Sequence, residues 1–293
     1  MNIYDCFMYF DEDLLLDLRL NILNSYVKKF VIVESSYLHS GNKKKLNFDI
    51  KNFTKFKDKI EYIVLDNQPN GIQKVLPEDS ENIKNEKKLN NSVKRENSQR
   101  NHILKGLRET SDEDLILVSD LDEIPNPSSF NFKKKINLFI QKIFYYKLNL
   151  MQPDLNWIGS RACKKKYLIS PQWLRNIKDR PYPYWRIDAL LSKKKYWSVN
   201  LIPNGGWHFT NIKSPEDIHF KLSNFLHHVE FEYSKLTISD MASMIKNKVI
   251  AYDHSVDKTK DKYSGKQKLT KVSDEVLPEY VNINKDKYKE WLD

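Results

Sequence analysis

The apolar positions of the chain fall into two periods, and their alternation predicts its architecture. Leu14, Leu15, Leu18, Ile22, Leu23 and Val27 recur at helical spacing and predict a helix over residues 13–27, with Asp11 or Asp13 as its N-cap. Residues 30–33, 60–65 and 115–118 are short apolar runs rich in Val, Ile and Leu, the pattern of strands buried on both faces. An aromatic-rich strand is predicted over 139–150. Residues 68–91 carry few apolar side chains and read as a loop or mobile flap, whereas 93–107 read as a helix built on Val93, Ile103, Leu104 and Leu107. Over 214–229 the helix-start signals are strong: Ser214 at the N-cap, Pro215 at the first position, Glu216 and Asp217 in the first turn. Its apolar face comprises Ile218, Leu222, Phe225, Leu226 and Val229, and a last core helix is predicted over 237–249. Strands alternating with helices give an α/β class with a largely parallel sheet, in which ligands sit at the carboxyl ends of strands. No internal repeat is visible, and no boundary precedes about residue 254. Residues 1–253 therefore read as one domain and 254–293 as an extension packing on it or trailing from it.

Composition narrows the class. The 293 residues are 40% hydrophobic and 12% aromatic, enough for a real core. Two cysteines, Cys6 and Cys163, cannot form a disulfide scaffold and point to a reducing compartment. Residues 1–10 include Asp5 and lack the basic start and apolar run of a signal peptide. No stretch approaches the ~18–20 apolar residues of a membrane-spanning helix, so a cytoplasmic location is expected. The formal net charge of +10 raises nucleic acid, an acidic membrane surface or a phosphorylated substrate as partners. Nearly all of the excess lies in 161–195, where eleven Lys and Arg face Asp179 and Asp188. Residues 254–293, with nine Lys against eight acids, are merely mixed in charge.

The sharpest chemical feature is Asp120-Leu121-Asp122 directly after an apolar strand. In extended backbone, residues i and i+2 point to one face, and two close carboxylates repel unless a cation joins them. The pair suits a hard divalent cation, Mg²⁺ or Mn²⁺, bridging to substrate phosphates. The bland alternative is a solvated acidic loop. An aspartyl-nucleophile phosphotransferase would place its pair near the first strand, and a two-metal nuclease would need further carboxylates.

The string Val118-Ser119-Asp120-Leu121-Asp122-Glu123-Ile124-Pro125 resembles the metal motif of glycosyltransferase family 17, the family of the β-1,4-mannosyl-glycoprotein β-1,4-N-acetylglucosaminyltransferases and their bacterial and viral relatives. Further blocks match in order: Tyr4–Phe7 with Asp17–Leu20, Lys29–Ser35 with His39-Ser40-Gly41, Arg95-Glu96 with Gln99-Arg100-Asn101, Gly205–Thr210 with Pro215–Ile218 and Lys221-Leu222, and Leu277–Val281. The resemblance implies a GT-A fold, a nucleotide-binding α/β domain around a mixed, mainly parallel sheet flanked by helices. It also implies inverting transfer of a sugar, N-acetylglucosamine first among the choices, from a UDP-sugar. Asp120 and Asp122 would hold Mn²⁺ or Mg²⁺ against the diphosphate, with His208 completing the metal shell. Glu34 would contact uridine or ribose, Arg95 and Arg100 would contact the nucleotide or brace the acidic loop, and Lys221 would join the donor site. The acceptor expected is a glycan or lipid-linked one, such as a bacterial or viral surface polysaccharide, with peripheral membrane contact through 161–195 and no nucleic-acid partner.

An inverting transfer also needs a base for the acceptor hydroxyl. The candidates are Asp154, Asp188 and Glu216, each with a structural alternative. Trp157, Trp173, Trp185 and Trp197 are candidate sugar-stacking surfaces, burial being the usual outcome for such residues. His39 is expected near the nucleotide, and His219, His227 and His228 at the surface. Two rivals stand beside this reading: a GT-A enzyme using another nucleotide sugar, and a basic nucleic-acid-binding protein whose salt-sensitive binding ignores Asp120 and Asp122.

Overall fold

The computed structural model describes residues 1–293 apart from 181, 184, 189–191, 193, 194, 196, 197, 226, 227, 253–262, 264 and 266. Lys193, Lys194, Trp197, Leu226, His227 and the expected 253/254 boundary therefore lie outside the described residues. In chain order the main elements are β1 (Ile3–Tyr9), α1 (Asp13–Leu23), β2 (Lys29–Ser35), β3 (Ile60–Leu65), α2 (Glu81–Asn101), β4 (Leu115–Asp120), β5 (Glu123–Pro125), β6 (Ile136–Tyr145), β7 (Leu150–Lys164), α3 (Pro171–Arg175) and β8 (Asn200–Thr210). There follow α4 (Pro215–Asn224), α5 (His228–Ser234), α6 (Ile238–Asn247), β9 (Val249–Ile250), β10 (Gln267–Lys268), β11 (Thr270–Lys271) and α7 (Glu279–Ile283).

Among the described residues the main sheet has nine strands in the order β3-β2-β1-β4-β7-β6-β8-β5, with β11 also on β7. The mainly parallel character expected of a mixed sheet holds for β3-β2-β1-β4 and for β6-β8. The β4-β7, β6-β7, β5-β8 and β7-β11 ladders are antiparallel, so the sheet is mixed in equal parts.

The strand order forces the sheet to curl. Only Leu121 and Asp122 separate β4 from β5, yet β5 lies four strands away along the sheet. On a flat sheet that distance would be about 19 Å at ~4.8 Å per strand. Three Cα–Cα steps reach at most about 11 Å. The β7-β6-β8-β5 half therefore folds back over the end of β4, and the Asp-x-Asp turn is the strap that joins the two halves.

Four expectations change. The helix at 93–107 begins at Glu81, inside the stretch read as a loop, capped by the Ser80 hydroxyl and followed by a 3₁₀ segment to Leu107. The side chains that α2 buries are Asn91, Ser92, Gln99 and Arg100, so no apolar stripe announces it. The predicted strand at 139–150 splits at Tyr146, whose φ of 64° turns the chain from β6 to β7. The helix at 214–229 ends at Asn224 because Phe225 is extended, and α5 starts afresh at His228. Finally, α1 stops at Leu23, and its N-cap position is Glu12, whose side chain makes no capping bond.

Alternation along β2 sends Val31 and Val33 into one core, with Ile103, Leu107, Ile116 and Val118, and Phe30 and Ile32 into another, with Leu16, Leu20, Phe53 and Phe56. Leu277, Val281 and Tyr288 from the last stretch pack with Leu15, Leu18, Phe144 and Phe209. Among the described residues no helix is long and apolar enough to cross a membrane.

Candidate active site

The end of β4 and the start of β5 are held from beneath by a buried ion pair. Arg19 on α1 and Asp5 on β1 are both fully buried, and the guanidinium donates to both carboxylate oxygens at 2.7 and 2.6 Å. Its remaining nitrogen donates to the backbone carbonyls of Asp120, Leu121 and Glu123 at 3.1, 3.1 and 2.8 Å. One rigid fork thus fixes the turn that carries both acids.

A second clamp works from the side. Glu123 is fully buried, and Arg175 of α3 grips it bidentately at 2.7 and 3.0 Å. The same guanidinium donates to Asp120 Oδ2 at 2.9 Å, and Arg100 of α2 donates to Asp120 Oδ1 at 2.9 Å. Glu123 also accepts the Asp120 backbone N–H at 3.0 Å and the Trp157 indole N–H at 2.7 Å. Burial opposes ionisation of Asp120, but Arg175 and Arg100 outweigh it and hold the carboxyl well below the usual range. Arg161, beside Arg175, is pushed down to about 9 by burial and by that neighbouring cation.

Both acids line a pocket of about 280 Å³, but Asp122 meets different partners there. Its carboxylate lies 3.5 Å from His208 Nε2 on β8 and 3.5 Å from Lys221 Nζ on α4, both beyond a normal hydrogen bond. Lys221 also reaches Glu12 at 3.1 Å. Burial opposes the charge on Asp122, but Lys221 and His208 bring its carboxyl below the usual range. Burial likewise opposes a charged His208, and Asp122 raises it above the ordinary imidazole value. The His208 ring tilts against Trp157 at 5.0 Å between centroids, and its Nδ1 is buried without a hydrogen-bond partner among the described residues. Gly206 lets β8 lie this close to β5: it has φ 138°, and a Cβ there would fall 2.1 Å from the Ile124 carbonyl oxygen.

The expected ligand set divides. Asp122 and His208 present an O,N pair to open space, which fits a cation completed by substrate oxygens. Asp120, expected as a third ligand, has both oxygens on arginines. Among the described residues no group of three or more His, Cys, Asp or Glu is arranged to hold a metal.

The other predicted site residues scatter. Glu34 is buried outside the pocket lining, accepting from Lys44, from the backbone N–H of Asn47 and Phe48 at 2.7 and 3.1 Å, and from Tyr62 at 2.8 Å. Arg95 donates to Gln68 at 2.7 Å and to the His39 carbonyl at 3.0 Å, so it braces that loop and not the acids; Arg100 does brace Asp120. His39 lines the pocket with Gln99, 3.1 Å away. None of the three base candidates lines the pocket. Asp154 is exposed on a three-residue bulge of β7, Asp188 is exposed between Arg186 and Lys195, and Glu216 is exposed in the first turn of α4. His228, expected at the surface, is buried on the Phe225 carbonyl at 2.9 Å, and His219 packs edge-on against Phe231. Of the tryptophans, Trp157 lines the pocket, Trp173 packs on a core and Trp185 is exposed.

The basic segment is not a bare patch. Lys164 and Lys166 pair with Glu113, Arg175 with Asp120 and Glu123, and Arg186 and Lys195 with Asp188, while Arg161 donates to carbonyls. Sequence reasoning missed Glu12, Arg19, Glu123 and Arg175 as site residues. Glu123 stood inside the acidic motif and Arg19 inside a quoted block; nothing local distinguishes Arg175 from the other cations of its segment.

No curated protein matches the chain. The family model described as glycosyltransferase family 17 matches residues 1–157, from β1 through both acids to the Trp157 wall of the pocket. That is more than half of the 293 residues, and the chain belongs to glycosyltransferase family 17.

Proposed function

We propose that this glycosyltransferase is a GT-A-type, inverting enzyme that takes its sugar, N-acetylglucosamine first among the choices, from a UDP donor bound over the β4–β5 turn. The observation that carries the reading is the convergence of Asp122, His208 and Lys221 on one pocket at the carboxyl ends of the parallel strands. A divalent cation held by Asp122 and His208 would offset the charge that develops on the departing diphosphate. Lys221, kept protonated by Glu12 and Asp122, offers a fixed positive charge to the same phosphates. Arg19, Arg175 and Arg100 keep the turn and Asp120 in place, so Asp122 needs little reorganisation when substrate arrives. Ser35, Tyr37, His39, Lys44 and Gln99 line the end of the pocket nearest β2, where the uridine is expected.

Calorimetric titration with UDP-N-acetylglucosamine, with and without Mn²⁺, tests this reading. Binding is expected to strengthen at least tenfold with Mn²⁺ in the wild type and to lose that dependence in Asp122→Asn and His208→Ala. Mn²⁺-independent binding in the wild type would sink the metal assignment, and no binding of any UDP-sugar would sink the donor.

A further inference from the structure

Beyond Asp122 and His208 the pocket changes character. Its far wall is built from Tyr145 and Tyr146 at the end of β6, from Met241 and Met244 on α6 with Leu236 just before it, and from residues 250–252 with Tyr263. The described side chains of this wall are Tyr, Met, Leu, Ile and Ala, with no carboxylate, amide or cation among them. All of these but Ala251 and Tyr252 join a hydrophobic cluster with Ile143, Ile218 and Phe231, so among the described residues the lobe is a gap in an apolar core that opens onto the polar site. Tyr145 and Asp122 line one and the same pocket, so the two lobes are continuous.

We propose that this lobe receives the hydrocarbon chain of the acceptor, so that the enzyme glycosylates a sugar carried on a lipid-type alkyl group. The inference rests on the glycosyl-transfer reading of the polar lobe and names the substrate class of its neighbour. A free sugar carries hydroxyls round its rim, and burying them without partners is costly. The wall offers them tyrosine hydroxyls, with Thr210 and Asn211 only at its border at the end of β8. An alkyl chain needs no partners, gains from every methylene removed from water, and suits two methionines that repack around irregular shapes. Apart from Tyr145 and Tyr146, the wall comes from residues beyond 157, outside the stretch matched by the family.

The test compares n-octyl β-D-glucopyranoside, kept below its micellar concentration, with methyl β-D-glucopyranoside. Their head groups are identical. Binding to the full chain is followed by calorimetry, with UDP plus Mn²⁺ titrated separately into the wild type. The octyl glycoside is expected to bind at least tenfold more tightly, the gain that burying only two of its extra methylenes supplies. Ala251→Trp, which fills the lobe, and Met244→Asp, which charges a half-buried part of its wall, are each expected to erase the difference in folded protein verified by circular dichroism; Ala251→Trp alone suffices if Met244→Asp does not fold. Equal binding of the two glycosides by the wild type overturns the proposal, as does an octyl preference that survives filling of the lobe. Failure of UDP to bind while the octyl preference persists counts against the donor reading alone.

Discussion

The two halves of the sheet differ in regularity. In β3-β2-β1-β4 each neighbouring pair runs parallel through six consecutive residue pairs without a break. In β7-β6-β8-β5 parallel and antiparallel ladders mix, with register shifts between Leu138 and Ile140, Lys142 and Ile143, and Phe139 and Gln141. The regular half fixes where the acids stand. The bulged half delivers what faces them: His208, Trp157 and the Tyr145 wall. Bulges re-aim side chains next to sites without disturbing the fold beneath them. Regular and bulged pairing thus lie on opposite sides of one pocket.

The largest effect on this division is expected from Arg19, the anchor of the regular half. Arg19→Met leaves Asp5 buried without its guanidinium and removes that donor from three carbonyls, of which Glu123's keeps the Ser160 hydroxyl. Loss of one partner of such a pair costs about 3–5 kcal/mol, read as a lower urea midpoint. The double variant Asp5→Leu/Arg19→Met removes the orphan charge, and apolar replacement of a buried pair is often near neutral. Most of the stability should return, while transfer stays at least tenfold down because the turn has lost its carbonyl anchor. Wild-type transfer by the double variant would show that the turn holds itself.

Glu123 ties the halves together, with Asp120 and Arg175 on one side and Trp157 leaning on His208 on the other. Glu123→Gln keeps the shape but turns one acceptor into a donor facing other donors, a mismatch worth about 1–3 kcal/mol. The expected result is a 10–100-fold fall in kcat with a smaller change in donor KM, the scale of outer-shell changes at metal sites. A fall in stability without any change in kcat would make Glu123 a strut of the fold alone. Steady-state kinetics and thermal melting on the same preparation separate the two.

The same contrast decides what was legible in the sequence. Strands β2 and β4 are apolar runs because both faces are buried, β3 at the sheet's edge is half-buried, and all three appear where periodicity puts them. Strand β1 is equally buried but carries Asp5 at its centre, whose partner lies fourteen residues on. Helix α2 buries polar side chains that bond to His39, Val33 and Asp120, so no apolar stripe marks its start and its first half, 81–91, read as a loop while the rest read as a helix. Strand β7 interrupts its alternation where Pro153, Asp154 and Leu155 bulge out, and it was not predicted. At the site, the acidic pair was visible because both acids share one turn. The partners that separate their roles come from α2, α3, α4 and β8, and proximity made by topology leaves no local trace. The family blocks marked Arg100, His208 and Lys221, whereas the arginine that grips Asp120 from α3 stood among ten other cations.

The smallest effect sharpens the comparison most directly. Asp154, Asp188 and Glu216 were attractive as bases because each stands near aromatic or family-like sequence. All three are exposed, and none lines the pocket. Asp188 is held ionised by hydrogen bonds from Arg186 and Lys195, in water that screens the charges. Asp154→Asn, Asp188→Asn and Glu216→Gln should each melt within about a degree of the wild type, as surface changes usually do. Their transfer rates should stay within about twofold at any pH, since a base must come within hydrogen-bond reach of the hydroxyl it deprotonates. A pH–rate profile for each variant decides the matter. Loss of the alkaline plateau in one of them would move the reacting centre out of the curl between the two half-sheets and onto its outer face.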